Sequence, residues 1–159
     1  GNDSVLAPIF WFVVGGIPGA LAYRLINTLD AIWGYRNSRY CNFGWASARA
    51  DDLVNFIPAR LCALSYALVG DFNCATKCWR TQATQCASLN AGPVMAAGAG
   101  ALNIELGGCA TYHGKLRNKP ILGVGRIATP SDILAALNLL RQATFLWVVL
   151  LGALALGTL

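Results

Sequence analysis

The chain has 159 residues, which is enough for one domain. Hydrophobic residues make up 56% of it and charged residues 12%, about half of the roughly 25% that soluble domains carry. This composition excludes a disordered, collagen-like or coiled-coil chain and argues against an ordinary soluble enzyme, so we expect an integral membrane protein. The net charge is +5, but the basic residues form no runs, so we expect no nucleic-acid partner.

The first apolar stretch, Val5 to Tyr23, contains no charged residue. At about 1.5 Å per residue it reaches roughly 28 Å, enough to cross the hydrocarbon core of a bilayer, so 5–23 is predicted to be transmembrane. Gly15, Gly16 and Pro18 interrupt the stretch and predict a kink or break. Two interpretations stay open: one kinked span, or a short span followed by an interfacial helix from Pro18 to about residue 33.

The next apolar segment, 53–70, contains a proline and an arginine, and its uninterrupted part is too short to span a bilayer. Five arginines lie in 24–60 and seven lysines and arginines in 71–142. A crossing between these regions would put them on opposite sides, against the positive-inside rule. We therefore predict that 53–70 is re-entrant or interfacial and that both polar regions, 24–60 and 71–142, are cytoplasmic.

The second half of the chain contains small-residue, polar and apolar segments in turn. Residues 87–108 are rich in Gly and Ala, which favours close helix packing. Residues 109–127 are polar with Gly and Pro, which predicts a loop. Thr129-Pro130-Ser131-Asp132 predicts a helix start with Thr as N-cap, and the uncharged 143–159 is predicted to be a C-terminal transmembrane helix. The predicted fold is an all-α membrane bundle with re-entrant or interfacial amphipathic helices and polar cytoplasmic loops.

The cysteine pattern favours reduced thiols that act as small apolar residues, although a soft-metal site is an open alternative. No pair has C-x-x-C spacing, and the single histidine, His113, is distant in sequence. The six cysteines are Cys41, Cys62, Cys74, Cys78, Cys86 and Cys109.

Polar residues concentrate in 24–60 and fall on helical faces. Helical spacing puts Tyr23, Asn27 and Asp30 on one face and Arg49, Asp52 and Asn55 on another, with Asp51 beside them. Carboxylates with asparagines suit Mg²⁺, and arginines suit phosphate oxygens. The alternative is structural: an Arg49–Asp52 helix pair with caps and interface anchors.

Several runs together resemble one family, the CobD/CbiB family of adenosylcobinamide-phosphate synthases. The first run is Tyr23-Arg24-x-x-Asn27-Thr28-Leu29-Asp30-x-x-x-Gly34-Tyr35-Arg36-Asn37. The second is Phe43-Gly44-Trp45-Ala46-x-Ala48-Arg49-x-Asp51-Asp52-x-x-Asn55-x-x-Pro58-Ala59-Arg60-Leu61. Shorter matches are Asn2-x-x-x-Val5-x-Ala7-Pro8, Ser88-x-Asn90-Ala91-Gly92, Leu106-Gly107-Gly108 and Leu122-Gly123-x-Gly125.

The resemblance implies a multi-pass enzyme of the cell inner membrane. It would use ATP with Mg²⁺ to join adenosylcobyric acid to aminopropanol phosphate, or a related amino alcohol, through an amide bond. Its expected partners are this corrinoid, the amino-alcohol phosphate, the lipid bilayer and other membrane enzymes of the cobalamin pathway. Family members are about twice as long, so we also expect an N-terminal half of the same protein as a partner.

The resemblance and the polar faces together predict the site residues. We expect Asp30, Arg49 and Asp52 to be catalytic and Asp51 and Asp52 to bind Mg²⁺. The residues expected to bind substrate or phosphate are Arg24, Asn27, Tyr35, Arg36, Asn55, Arg60 and Asn90.

Some positions depart from the family pattern. The family often has Pro where this chain has Leu89, and many members have Arg-Asp-Ala and an upstream His where this chain has Thr81-Gln82-Ala83 and Cys86. If the replaced residues are catalytic, the chain is a non-catalytic sensor or scaffold of the same fold, which is the alternative function. A transporter is a weaker alternative, because no repeated pair of broken helices is visible.

Overall fold

The computed structural model describes residues 1–33, 41–112 and 115–157, and most of them are helical. Three helical segments are long and apolar enough to cross a membrane: Asn2–Trp33, Gly44–Val69 and Asp132–Gly157. The prediction of a mainly helical membrane protein is confirmed at this level. By its internal contacts the chain divides into two units, Gly1–Ala59 and Arg60–Leu159.

The first unit begins with a π-helical turn, Asn2–Leu6, that leads into helix α1, Ala7–Trp33. Gly16 breaks α1 with φ 62° and ψ −153°, a conformation that glycine adopts because it has no Cβ. Pro18 follows in the first turn of the second segment, where its missing N–H leaves no helical bond unmade. The predicted break is confirmed, while the place of the second segment in or along the bilayer stays a prediction.

Helix α2, Cys41–Val69, is 29 residues long and contains Pro58. Because the helix continues through the proline, the short uninterrupted part of 53–70 no longer excludes a crossing by length. That 53–70 is re-entrant or interfacial stays a prediction.

The second unit continues with helix α3, Phe72–Gln82, a 3₁₀ turn, Ala83–Gln85, and helix α4, Ala91–Ala101. Asp71 is the N-cap of α3, and its carboxylate accepts a hydrogen bond from the backbone N–H of Cys74 at 3.0 Å. Asn103 Nδ2 donates to the same carboxylate at 3.3 Å. The Cys74 N–H and then the Asn103 amide lower the pKa of Asp71, so the cap is charged at neutral pH.

Small residues allow α3 and α4 to pack closely. A Cβ on Gly100 would lie 2.8 Å from the Cα of Ala75, so only glycine fits there. The prediction of close packing in the Gly- and Ala-rich segment is confirmed. The adjoining core contains Cys78, Ala96 and Leu122, with Cys74 and Cys86 packed against it.

Two cysteine side chains behave as the small apolar residues that were predicted, since Cys62 and Cys78 are both buried. Burial, and then the neighbouring Cys74 thiol, raise the pKa of Cys78 to about 11. Cys78 is therefore protonated at neutral pH and is a poor metal ligand. Among the described residues, no group of three or more His, Cys, Asp or Glu side chains could hold a metal ion.

A three-stranded sheet follows α4, so the all-α prediction is wrong, as is the prediction of a loop over 109–127. Strand β1, Ile104–Tyr112, pairs antiparallel with β2, Lys115–Gly123, and parallel with β3, Arg126–Ile127. The strand order is β2-β1-β3. Glycines with positive φ, including Gly107 at 108°, accompany a bulge in β1 and the turn after β2. These glycines made the segment resemble a loop.

Helix α5, Asp132–Gly157, begins next to the predicted start, although the Thr129 hydroxyl donates to the Asp132 carboxylate rather than accepting from a backbone N–H as an N-cap does. The Thr129 N–H donates to Asp132 Oδ2 at 2.7 Å, and Arg126 adds a bidentate ion pair with the same carboxylate, its Nη1 at 2.7 Å from Oδ2. Further along, Trp147 Nε1 donates to Ser65 Oγ at 2.8 Å and thereby joins α5 to the last part of α2. The helix is long and apolar enough for the predicted C-terminal span, and that it crosses the membrane stays a prediction.

The side chain of Gln82 joins the end of α3 to the end of β2. Its Nε2 donates to the Gly123 carbonyl at 3.0 Å, and its Oε1 accepts from the Gly123 N–H at 2.6 Å. One amide thus satisfies both polar groups of one residue, which requires a donor and an acceptor on the same side chain.

We expect Gln82→Glu to lower the free energy of unfolding by about 1–3 kcal/mol, because a carboxylate oxygen would then face the Gly123 carbonyl. Chemical denaturation of the protein in detergent micelles measures this loss. Gln85→Glu, the same change at an exposed position of the adjacent turn, is the control and should change stability little. Equal stability of the two variants would contradict the proposed role of Gln82.

We also expect the sheet to lie on the cytoplasmic side, because lysines and arginines are numerous in 71–142. Cys109 lies on β1 and is exposed. A membrane-impermeant maleimide should therefore label Cys109 in inverted vesicles and not in right-side-out ones. Cys109→Ser identifies the labelled site, and labelling from the periplasmic side alone would refute the orientation.

Candidate functional site

The amide of Asn55 is the centre of a buried polar cluster in the first unit. Asn55 is 1% exposed and lies on α2, within a stretch whose composition suits a membrane. Its Oδ1 accepts hydrogen bonds from Asn2 Nδ2 and from the Tyr23 hydroxyl, each at 3.0 Å. These bonds join the N-terminal turn, α1 and α2, and they offset the cost of burying an amide in such surroundings.

A neighbouring carboxylate fixes the orientation of both amides. Asn2 Nδ2 also donates to Asp3 Oδ1 at 2.8 Å, and an ionised carboxylate can only accept. The NH₂ group of Asn2 must therefore face Asp3, and Asn55 must present its oxygen to that NH₂ group. The remaining amide atoms, Asn2 Oδ1 and Asn55 Nδ2, point elsewhere.

Those two remaining atoms, one acceptor and one donor, are buried and have no hydrogen-bond partner. An unsatisfied buried polar group costs roughly 1–3 kcal/mol, and few occur in a native protein.

A second carboxylate belongs to the same face of α2. Asp51 lies one helical turn before Asn55, and its Oδ1 accepts from Asn27 Nδ2 of α1 at 3.0 Å. Asp30, partly exposed, lies three residues after Asn27 on α1. Three predicted site residues, Asn27, Asp51 and Asn55, are thus brought together with Tyr23.

Arg49 and Asp52, two of the predicted catalytic residues, form an ion pair that is far more exposed than the cluster around Asn55. The Arg49 Nη1 to Asp52 Oδ2 distance is 3.9 Å, and the side chains are 60% and 36% exposed. Such a pair is worth little in energy. The structural interpretation of this pair, as a helix-surface contact, is therefore favoured, while a joint metal site of Asp51 and Asp52 stays a prediction.

A tryptophan compensates for the proline inside α2. Pro58 has no N–H, so the carbonyl of Val54, four residues earlier, loses its helical partner. Trp11 Nε1 of α1 donates to this carbonyl at 3.0 Å. The contact lies one residue from Asn55 and holds the first part of α1 against α2.

In the second unit the structure brings together two residues predicted to bind phosphate. Arg60 Nη1 donates to Asn90 Oδ1 at 2.8 Å, and Nη2 donates to the Leu89 carbonyl at 3.3 Å. Asn90 precedes α4, and Ser88 Oγ accepts from the Ala91 N–H at that helix start. Only the backbone carbonyl of residue 89 takes part, so the departure from the family pattern at Leu89 leaves this contact intact.

Three of the predicted site residues lie outside these contacts, and two residues of the cluster had not been predicted. Arg24 is exposed on α1, while Tyr35 and Arg36 lie outside the described residues. Sequence reasoning gave no role to Asn2 and Asp3. Helical periodicity could not connect them to Asn55, which is 53 residues away from Asn2; only the family-like match at Asn2 was a signal.

Comparison with known proteins gives a consistent result. The family model described as "CobD/Cbib protein" matches residues 1–140. The "Cobalamin biosynthesis protein CobD" of Chromobacterium violaceum is 55% identical to this chain, and the match covers 94% of this chain and 48% of the relative. The protein of the same name from Stutzerimonas stutzeri is also 55% identical, over 95% of this chain and 50% of the relative. The protein of that name from Mycobacterium tuberculosis is 42% identical over 87% of this chain and 46% of its own length. The chain thus spans about half the length of these relatives, and no solved structure matches it.

We expect Trp11→Phe to lower the free energy of unfolding by roughly 1–3 kcal/mol, because the Val54 carbonyl loses its donor. In a Pro58→Ala background the loss should be smaller, since residue 58 then supplies the helical N–H. A double-mutant cycle by chemical denaturation in micelles measures this coupling. Trp45→Phe, at an exposed position, is the control, and equal losses in both backgrounds would disprove the compensation.

Proposed function

Because the chain belongs to the CobD/CbiB family, we propose that it is part of a membrane enzyme of cobalamin biosynthesis. The proposed reaction joins a carboxylate of adenosylcobyric acid to the amine of aminopropanol phosphate, or of a related amino alcohol, and gives adenosylcobinamide phosphate. The names of the relatives support the pathway, and the family resemblance suggests the reaction. Since the chain spans about half of each relative, the activity is proposed for the full-length protein in the cell inner membrane.

One observation in the molecule carries the enzymatic interpretation: polar side chains from three segments gather around Asn55 and Asp51, in a stretch whose composition suits a membrane. Such groups are costly there, so a helix suited to a membrane does not retain them for stability alone. A non-catalytic scaffold needs helical packing and has no use for a carboxylate at this place.

The proposed chemistry divides into activation and amide formation. A carboxylate oxygen of the corrinoid attacks the γ-phosphorus of ATP and ADP leaves, which gives an acyl phosphate. The amine nitrogen then attacks the acyl carbon, inorganic phosphate leaves, and a carboxylate side chain accepts the proton from nitrogen. We assign Arg60 and Asn90 to phosphate oxygens, because the guanidinium and amide lie together in front of α4.

The oxygen-rich cluster fits a Mg²⁺ ion bound in the usual way, through one or two carboxylates and the phosphates of a nucleotide. The described residues do not offer a cage of three or more ligating side chains, and Mg²⁺ does not require one. Asp51 is the side chain that we propose as its ligand. When bound, the ion would neutralise charge on the transferred phosphoryl group.

Complementation tests the proposed activity against the scaffold alternative. The gene for the full-length protein, expressed in a strain that lacks the synthase, should restore adenosylcobinamide phosphate. Protein that reaches the membrane in normal amounts without forming this product would support the scaffold.

We expect Asp51→Asn to lower turnover by at least about 100-fold, because this carboxylate is the proposed Mg²⁺ ligand and the ion would stabilise the charge of the transferred phosphoryl group. Asp52→Asn should change turnover only a few-fold, since its pair with Arg49 is exposed. Both variants are isosteric and differ by one position. Assays in membranes with saturating ATP and Mg²⁺ make the comparison, and a larger loss for Asp52→Asn would reverse the assignment.

A further inference from the structure

Helix α1 folds back on itself at Gly16. We infer that it is a re-entrant hairpin, whose two arms, 7–15 and 17–33, enter the bilayer from one side and return to that side. The tip of the hairpin lies in the hydrocarbon of a single leaflet, and α1 does not cross the membrane. This inference goes beyond the proposed reaction and does not depend on it.

Two contacts within the segment show that the arms run side by side. The Tyr23 hydroxyl donates to the backbone carbonyl of Asp3 at 3.4 Å, whereas a straight helix would hold these residues about 30 Å apart. A Cβ on Gly19 would lie 2.5 Å from the carbonyl oxygen of Trp11, although a straight helix would separate these two residues by about 12 Å. The chain therefore reverses between Trp11 and Gly19, and the break at Gly16 lies inside this interval.

The contacts of both arms with α2 require the same reversal. Trp11 Nε1 of the first arm donates to the Val54 carbonyl, and the Tyr23 hydroxyl of the second arm donates to Asn55 Oδ1. A straight helix would hold Trp11 and Tyr23 about 18 Å apart along its axis, yet they reach adjacent residues of α2. The hairpin is thus fixed on α2 by one hydrogen bond from each arm.

Charge and length both favour insertion into one leaflet. No charged residue lies between Asp3 and Arg24. The reversal brings these two charged positions to one end of the hairpin, since Asp3 contacts Tyr23, and leaves an uncharged tip at the other end. The first arm, 7–15, reaches roughly 13 Å, less than half of the roughly 30 Å hydrocarbon core. The uncharged stretch that suggested one span therefore matches the depth of one leaflet.

The surface of the tip suits hydrocarbon. Burial of its apolar side chains in lipid is favourable, and the cost is a break in the helical backbone at membrane depth. This cost is limited, because the non-helical angles are confined to Gly16 and Pro18 has no N–H to leave bare. The tip side chains that are more than half exposed are Phe12, Val13, Val14 and Ile17.

The hairpin determines from which side the candidate site is reached. Asp3 and Tyr23 meet at the base of the hairpin, and Asn55 contacts Tyr23 there. The polar cluster therefore belongs to the membrane surface from which both arms enter, and a water-soluble ligand reaches it from that surface.

Labelling from the two sides of the membrane tests the inference on the full-length protein in sealed vesicles. Ser4→Cys and Thr28→Cys each place a thiol at an exposed position, one before the first arm and one on the second. A membrane-impermeant maleimide should label both thiols from the same side and neither from the other, and mass spectrometry of the modified peptides identifies them. Labelling of the two positions from opposite sides would show that α1 crosses the membrane and would overturn the hairpin.

A spin label at the tip tests whether lipid surrounds it. A nitroxide on Val14→Cys should collide with oxygen, which is concentrated in hydrocarbon, more often than with a water-soluble nickel chelate. Val124→Cys, at an exposed valine in the turn after β2, is the control and should show the reverse order. Frequent collision with nickel at Val14 would place the tip in water, and shielding from both reagents would place it under another protein segment; either result would overturn insertion into lipid.

Two alanine substitutions test the fold of the hairpin without a membrane. Gly19→Ala should lower the midpoint of chemical denaturation in micelles, because the new Cβ meets the Trp11 carbonyl of the other arm. Gly15→Ala adds a Cβ that meets nothing within 4 Å and should not lower the midpoint. In a straight helix the two glycines would be equivalent, so equal midpoints for the two variants would overturn the hairpin. If Gly19→Ala does not fold, the labelling of Ser4→Cys and Thr28→Cys still decides.

Discussion

Burial of one amide within a helix suited to a membrane is the constraint on which the first unit depends. Asn55 cannot sit in such surroundings without partners, and the partners come from two other segments, through Asn2 and Tyr23. The same bonds that hold the three segments together place the amide one helical turn from Asp51, which Asn27 contacts from α1. Architecture and candidate chemistry therefore arise from one residue.

The backbone of α2 also obtains a hydrogen-bond partner from another segment. Pro58 removes one helical hydrogen bond, and Trp11 replaces it from another helix, so a defect within one element becomes a contact between two. The break at Gly16 separates the part of α1 that carries Trp11 from the part that carries Tyr23. Each part can then meet α2 at its own point, three residues or fewer from Val54.

Features governed by local chemistry could be predicted from the sequence. The break near Gly16, the start of α5 at Thr129–Asp132 and the close packing of the Gly- and Ala-rich segment depend on neighbouring residues. The sheet could not be predicted, because its polar strands lack the alternation that marks a half-buried strand and its glycines resemble loop residues. At the site, helical spacing grouped Asn27 with Tyr23 and offered the Arg49–Asp52 pair as one of two interpretations, but it could not show that Asn2 completes the cluster. The departure at Gln82 likewise proved to be a structural contact.

The hydroxyl of Ser65 has a consequence for how the chain is synthesised. Ser65 Oγ donates to the Leu61 carbonyl at 2.7 Å within α2 and accepts from Trp147, which lies 82 positions later. The first bond needs only its own helix, so the hydroxyl hydrogen can be engaged as soon as this turn of α2 is helical. The second bond needs α5, which is synthesised later. The contact between the two helices therefore forms only after the last helix has been made.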